Sequence, residues 1–514
     1  MLDLSLTLVL ALLFVVYLVF THWNNALGTR RRPDLKTHGA YPLIGNTLEY
    51  LFSEDMLELA VVCLRECGGP GFSDTVIGQR FIDVSRPDWI EYVQKTNFEN
   101  YVKGEFIGEI FRDAFGEGIF AVDGASWYSQ RKIASHIFTI SMFKGIISYS
   151  LDQSLSRLIS FLDKQGANNS VVDLTDLFYR LMLDSFSFMA FSHDLGTLND
   201  PLSKAPVEIA DAFNFVQAQL IHRIVNPFWK LTERFGSRGR KFRRSLKIMD
   251  DFVGGIIEKR MEKPDVLPFE HKDLLAFFIE ARHENGSALT KKELRDAVLN
   301  FLIAGRDTTA QVLAWAFFHL IRRPELVDEL REELSNLGQE VDYDNHKILV
   351  KFHAVFFETL RLHPSVPASA KQCVKHDQIP DGPRIEPGDL VVICDWQMAR
   401  DPEIWGDDCL EFKIDRWIDE KGDLKRVSPY KAHGFNAGPR LCLGHGLALF
   451  NGVKTLAALV EKYDFSFPSG WWERVEKTAV VDGHVLDEAP KYYPGLTLAM
   501  KEPLLATVGL RKQR

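Results

Sequence analysis

The sharpest contrast in hydrophobic patterning falls at the start of the chain. Leu4 to Phe20, LSLTLVLALLFVVYLVF, holds no charged residue, and the uncharged stretch continues to Thr29 with His22 as its only basic side chain. As a helix, such a run spans about 25 Å or slightly more, close to the thickness of a bilayer core. A cleaved signal peptide would instead open on basic residues and close on a small-residue cleavage site. Here Asp3 precedes the run and His22, Trp23, Asn24 and Asn25 follow it. The pattern predicts a retained anchor over 1–29, with Arg30, Arg31 and Arg32 holding the rest, 30–514, on the cytosolic side.

Beyond the anchor, helical spacing over Leu48 to Cys67 gives way to β-branched extended runs between Phe72 and Val84. From Trp127 to Arg331, apolar residues recur every three or four positions with few prolines, the mark of helices. The longest such stretch is Lys291 to Arg322. Thr290 and Glu293 form a capping-box pattern at its start and Pro324 stops it. A helix of that length covers about 45 Å, so its middle must be core. After Pro364, turn pairs separate short β runs in IPDGPRIEPGDLVVICDW, and LTLAMK near the end reads as a further strand. The fold class is mainly α with a smaller β region, in one large domain without linkers or repeats.

Composition narrows the function classes. A formal net charge of −9 argues against a nucleic-acid binder. Six cysteines in a cytosol-facing chain are expected as thiols rather than disulfides. Cys63 and Cys67 read as buried thiols, since no second ligand pair lies near them.

Cys442 is different. In FNAGPRLCLG, Phe435 to Gly444, it lies between Gly438 and Gly444 with Arg440 two positions before it. The following LGHGLALFNGVKTLAALVEKY is an amphipathic helix, which puts Cys442 where free N–H groups and the dipole favour a thiolate. An anionic sulfur, a nearby cation and a glycine-lined approach fit axial ligation of haem iron, with Arg440 on a propionate. A glycine-rich turn around a buried thiol fits the same residues. Three other stretches carry similar ambiguity. Glu358 and Arg361 in ETLR form either an ordinary surface pair or, given their apolar surroundings, a buried one. AGRDTT, Ala304 to Thr309, places an acid and hydroxyls inside the long helix, for function or for back-bonding to carbonyls. Trp127 and Arg131 stand one turn apart, as propionate donors or as a ring packed on an arginine stem.

Phe435, Gly438, Arg440, Cys442 and Gly444 match every fixed position of the Phe-x-x-Gly-x-Arg-x-Cys-x-Gly loop of the cytochrome P450 family, which the chain resembles over nearly its whole length. The resemblance implies the cytochrome P450 fold behind a single N-terminal membrane helix, and haem b with Cys442 as its iron ligand. Trp127, Arg131, Ala304, Gly305, Phe435, Gly438, Arg440 and Gly444 would bind the cofactor, with Gly305 leaving room above it. Asp307 and Thr308 would deliver protons during oxygen activation, and Glu358, Arg361 and Arg416 would form a structural lock. FKIDRW departs from the usual pattern at Ile414 and Asp415 but keeps Arg416, and Asn451 replaces a frequent Glu.

The implied reaction is insertion of one oxygen atom from O2 into a lipophilic substrate. No flavin- or nicotinamide-binding stretch follows Lys501, so electrons are expected from a separate NADPH-cytochrome P450 reductase, with cytochrome b5 as a second partner. Arg131, Lys132 and Lys454 would steer it, at the endoplasmic reticulum membrane. The stretch from Asn97 to Lys132 and AGRDTTAQVLAW are similar to the subgroup that hydroxylates fatty acids at or near the terminal methyl. Phe106, Ile107, Ile110, Phe111, Phe115, Ile119 and Phe120 offer an apolar wall for a long chain, a sterol or a terpenoid. The family's layout adds Ser365 to Ser369, with Val366 and Pro367, and Tyr492 to Gly495, with Tyr493. A peroxide-rearranging member or a haem-binding membrane protein without catalysis would not require Asp307 and Thr308.

Overall fold

The computed structural model describes residues 2–511 apart from 54–55, 202–207, 263–271, 284–285, 479, 482–483, 486–488 and 494. The elements that build the site are helices α1 (Leu2–Thr21), α2 (Thr47–Phe52), α3 (Gly104–Phe115), α4 (Gly124–Ser135), α5 (Leu174–Phe191), α6 (Glu208–Val225), α7 (Lys291–Ile321), α8 (Val350–Leu362) and α9 (His445–Lys462). The strands are β1 (Ser73–Val76), β2 (Gln79–Asp83), β3 (Tyr101–Val102), β4 (Val171–Asp173), β5 (Ala368–Cys373), β6 (Leu390–Cys394), β7 (Tyr463–Ser466) and β8 (Leu505–Leu510).

The long helix forms as its pattern dictates. The Thr290 hydroxyl accepts from the Glu293 N–H at 3.2 Å, and the Glu293 carboxylate accepts from the Thr290 N–H at 2.8 Å. Two of the unpaired donors at the helix start are thereby satisfied. Its side chains are buried from Leu294 to Leu320, and Phe317 meets Phe178 of α5 with ring centroids 5.3 Å apart. Helix α7 is the spine of the helical region.

Beside it lies a five-stranded sheet in the order β1-β2-β6-β5-β3. Its strands are antiparallel except for the β2–β6 pair. Gly78, at a φ of +85°, turns the β1–β2 hairpin. A second sheet has the order β4-β8-β7.

Two sequence expectations change. LTLAMK, Leu496 to Lys501, makes only an isolated antiparallel bridge, Met500 against Tyr492, with the Tyr493 N–H donating to Ala499 O at 2.8 Å and the Lys501 N–H to Lys491 O at 2.7 Å. Before the bridge, the Leu498 N–H donates to Ser365 O at 3.0 Å and its carbonyl accepts the Trp315 indole N–H at 2.9 Å. The last strand is β8. At the N-terminus, α1 does form, and its large apolar side chains from Leu6 to Phe20 are mostly exposed. Among the described residues, however, no helix is long and apolar enough to cross a membrane, so the span expected over 1–29 is not shown. Cys63 and Cys67 are buried, and burial pushes both thiols up.

Candidate active site

Cys442 lies just before the Gly444 N-cap of α9, in a loop closed by its own N–H donating to Phe435 O at 2.8 Å. Gly438 has a φ of +62°, and a Cβ there would stand 2.3 Å from Gln94 O. Only glycine fits, and the space it leaves is used by backbone, not by a ligand. At Gly444 the nearest atom to an added Cβ is Cys442 Sγ, 3.9 Å away. The sulfur opens onto a cavity of 590 Å³. Although exposed to that cavity, Cys442 is enclosed by protein, and this burial pushes its thiol up. The Gly444 N–H pulls it down, as expected of a helix start, and so does the charge of Arg131 rather than the expected Arg440, but burial outweighs them. A metal cation at the sulfur supplies the missing compensation, since a coordinating thiol is deprotonated outright.

Cations gather along one side of the cavity. Arg440 pairs with Asp123, donates to Val122 O at 3.2 Å and lies 4.3 Å above the Trp127 ring. Arg131 donates to Leu441 O at 2.9 Å and stands 5.7 Å from the same ring. Two further cations had no local sequence signal. Val102 of β3 pairs with Gln372 of β5, and continuing that antiparallel register sets Lys103 against Lys371. Burial pushes Lys103 down to about 8 and Lys371 well below the usual lysine value, Arg440 lowers both further, and Lys103 adds to the effect on Lys371. Asp123 offsets them only in part. Like charges opposed across strands are destabilising, so this wall is built for an anion. Lys103, Arg131, Lys371 and Arg440 all line the cavity.

The facing wall comes from α7. Phe301, Ala304, Gly305, Thr308, Thr309 and Val312 line the cavity as one helical stripe, and Ile303 reaches it from outside that stripe. The Thr308 hydroxyl donates to Ala304 O at 2.8 Å, and Ser365 Oγ donates to Thr308 O at 2.9 Å. Asp307 lies off the stripe. It pairs with Arg306 at 2.9 Å and accepts from Gln217 Nε2 on α6, and burial raises its carboxyl. Acid and alcohol therefore stand on different faces of α7, and Gln217, the partner of Asp307, itself touches the cavity and accepts from Thr497 Oγ1 at 3.2 Å. Gly305, which lines the cavity, also makes room for a ring: a Cβ there would stand 1.9 Å from Phe186 Cδ2.

Behind the loop, Glu358 is fully buried between Arg361, at 2.8 Å, and Arg416, at 3.4 Å. Two partners were not read from the sequence: the Lys413 N–H at 2.8 Å and the Trp417 indole N–H at 2.9 Å. Arg361 also donates to Ala399 O, Cys409 O and Glu411 O, at 2.9, 2.7 and 3.0 Å. Each charge in this centre is compensated by hydrogen bonds, the condition for burying it at all.

The apolar wall is shorter than expected. Ile107, Phe111, Phe115, Ile119 and Phe120 line the cavity, but Phe106 and Ile110 do not. Spacing explains it: 107, 111 and 115 share one stripe of α3, whereas Phe106 turns edge-on to Phe81 and Ile110 is buried in the core. Ser365, Val366, Pro367, Ser369, Tyr492, Tyr493 and Gly495 line it as well, while position 494 lies outside the described residues. Lys454 is not available for steering a partner, being buried and paired with Asp152. Lys132 is exposed.

Among the described residues no three His, Cys, Asp or Glu side chains gather to hold a metal ion. Iron at Cys442 would have one protein ligand and need a chelating ring for the others. A ring bearing carboxylates meets the four cations, so the residues fit haem. The family model for cytochrome P450 matches residues 35–487.

The chain belongs to the cytochrome P450 family.

It is 39% identical over 515 residues to a cytochrome P450 monooxygenase, cyp1, of Mycosarcoma maydis, covering 96% of this chain and 78% of the relative. Cytochrome P450 86B1 of Arabidopsis thaliana is 32% identical, covering 91% and 83%. The alkane hydroxylase MAH1 of the same plant is 30% identical, covering 84% of each. This cytochrome P450 is a monooxygenase, an oxidoreductase that uses haem iron and O2 with electrons from a reductase. When bound, the haem supplies the oxygen chemistry. Toward that group Cys442 would present its sulfur, Lys103, Arg131, Lys371 and Arg440 would neutralise carboxylates, Thr308 would offer its hydroxyl from α7, and the apolar wall would exclude water.

Proposed function

We propose that this cytochrome P450 hydroxylates a long-chain aliphatic substrate, a fatty acid at or near its terminal methyl. The observation that carries the reading is the 590 Å³ cavity, walled by Ile107, Phe111, Phe115, Ile119 and Phe120, with Cys442 and Thr308 at its reactive end. Such a space is within the usual range for small-molecule pockets, and an unbranched chain uses it without needing polar contacts along its length. The relative MAH1, an alkane hydroxylase, supports an aliphatic substrate. A sterol or terpenoid would present rings to the same walls. Spectral titration of the haem-loaded enzyme with fatty acids, sterols and terpenoids separates these, followed by mass spectrometry of the product to locate the hydroxyl. Saturable shifts with sterols alone would overturn the reading.

The reading includes residence at the endoplasmic reticulum membrane, with α1 as anchor, the catalytic domain in the cytosol and Asp307 relaying protons toward Thr308 through Gln217. Its support is the row of exposed apolar side chains on α1 and the Arg30 to Arg32 cluster after it. Electrons would come from NADPH through the reductase, with Lys132 on the docking side and cytochrome b5 as a second donor.

A further inference from the structure

The outer part of the cavity contains a polar group that an aliphatic chain does not explain. The sheet face carrying Phe72, Asp74 and Val76 of β1 and Phe81 of β2 lines the cavity, with Asp74 and Phe81 in register. Successive residues of a strand point to opposite faces, so this alternation puts the Asp74 side chain on the cavity side. Asp74 is 5% exposed. Its Oδ2 accepts the Tyr50 hydroxyl of α2 at 2.8 Å, while its Oδ1 has no hydrogen-bond partner among the described residues. An unsatisfied oxygen this deeply buried costs about 1–3 kcal/mol unless something donates to it.

The position of Asp74 says what that donor is. The lysines and arginines lining the cavity are Lys103, Arg131, Lys371 and Arg440, all on the wall around Asp123. Lys371 is on β5, and β2 and β6 separate that strand from β1. Three strand spacings put Asp74 about 14 Å from β5. The same cavity is lined by Met56, Leu57, Ala60 and Tyr50, and by Asp83 of β2, whose carboxylate already accepts from Ser85 and Gln397. A chain with its methyl end at Cys442 brings its other end toward an acceptor with an unfilled oxygen, and among the described residues no lysine or arginine lines the cavity there to receive a carboxylate. Burial also raises the Asp74 carboxyl to about 6, which marks the spot as hostile to negative charge.

We propose that Asp74 is the subsite for the far end of the substrate and takes an uncharged O–H donor, a hydroxyl or a protonated carboxyl, in preference to a carboxylate. This rests on the aliphatic reading of the cavity and sharpens it: the head group is recognised by an acceptor.

The test measures dissociation constants by spectral titration of the full-length haem-loaded enzyme, above neutral pH, with a primary alcohol, a carboxylate and an alkane of equal chain length. The wild type binds the alcohol more tightly than the carboxylate. Asp74→Asn keeps the acceptor for Tyr50 but turns an N–H toward the head group, so the alcohol weakens roughly tenfold and the carboxylate tightens. Asp74→Leu weakens the alcohol and leaves the alkane unchanged, giving a second measure should the Asn variant fold poorly. Equal shifts for all three ligands, or no shift for any, overturn the subsite while leaving the aliphatic substrate standing. Failure of all three to bind the wild type overturns both.

Discussion

Thr308 Oγ1 donates to the carbonyl oxygen of Ala304, 2.8 Å away and one turn back along α7. Both residues face the cavity, so the hydroxyl is held at its wall with its proton directed into the helix and its lone pairs toward the open space. It is placed to accept a proton-bearing group there and pass the proton on. For Thr308→Ala, electron consumption should continue while product per electron falls by about 10²-fold, the lower range for a proton-handling group. Thr308→Ser should recover most of it. Oxygen uptake measured against product decides, and an unchanged product yield would remove the role.

Cys442→Ala should fold, because the sulfur faces the cavity instead of packing against a partner. The reduced protein under carbon monoxide should lose the red-shifted Soret band that thiolate ligation gives. Persistence of that band would exclude Cys442 as the ligand.

Glu358→Gln removes one negative charge from between Arg361 and Arg416. Leaving buried guanidinium groups uncompensated costs about 3–5 kcal/mol. Denaturant midpoints should fall accordingly, with a larger loss than for Asp415→Ala, an exposed acid of the same segment.

The lysine pair predicts a pH effect. In the folded cofactor-free chain Lys103 is pushed down to about 8, so between there and the ordinary lysine value the unfolded chain binds more protons than the folded one. Stability must then rise with pH across that interval. Denaturation of apoprotein as a function of pH should show this slope, Lys103→Met should reduce it, and haem loading should abolish it by supplying carboxylates.

Deleting residues 1–29 should move the protein from the membrane pellet toward the soluble fraction, because the exposed apolar face of α1 goes with them. Retention in the pellet at high salt would place membrane attachment elsewhere.

The sequence was most legible where the signal is local. Thr290 and Glu293 announce the start of α7 through their three-residue spacing, and the glycines around Cys442 mark a special loop. Asp307 shows what a motif leaves out. The stripe 301, 304, 305, 308, 309, 312 was present in the numbering, and 307 is not on it, so helical phase alone placed the acid elsewhere. The same phase argument separates Ile107 and Phe111 from Phe106 and Ile110. The contact of Gly305 with Phe186 was illegible because that ring is more than a hundred positions away. Lys103 and Lys371 were illegible for a like reason: nothing local marks either, and only the pairing of β3 with β5 brings them together.

That pairing has a consequence for the lifetime of the empty protein. β3 is a two-residue strand at the edge of its sheet, and the residue that follows it meets a like charge. The edge is where backbone amides should open first to solvent, and hydrogen exchange at Tyr101 and Val102 should slow when the cofactor arrives. Chains that have not been loaded would thus carry a loose edge that proteases can find, while loaded chains hide it, so the sheet distinguishes finished molecules from unfinished ones.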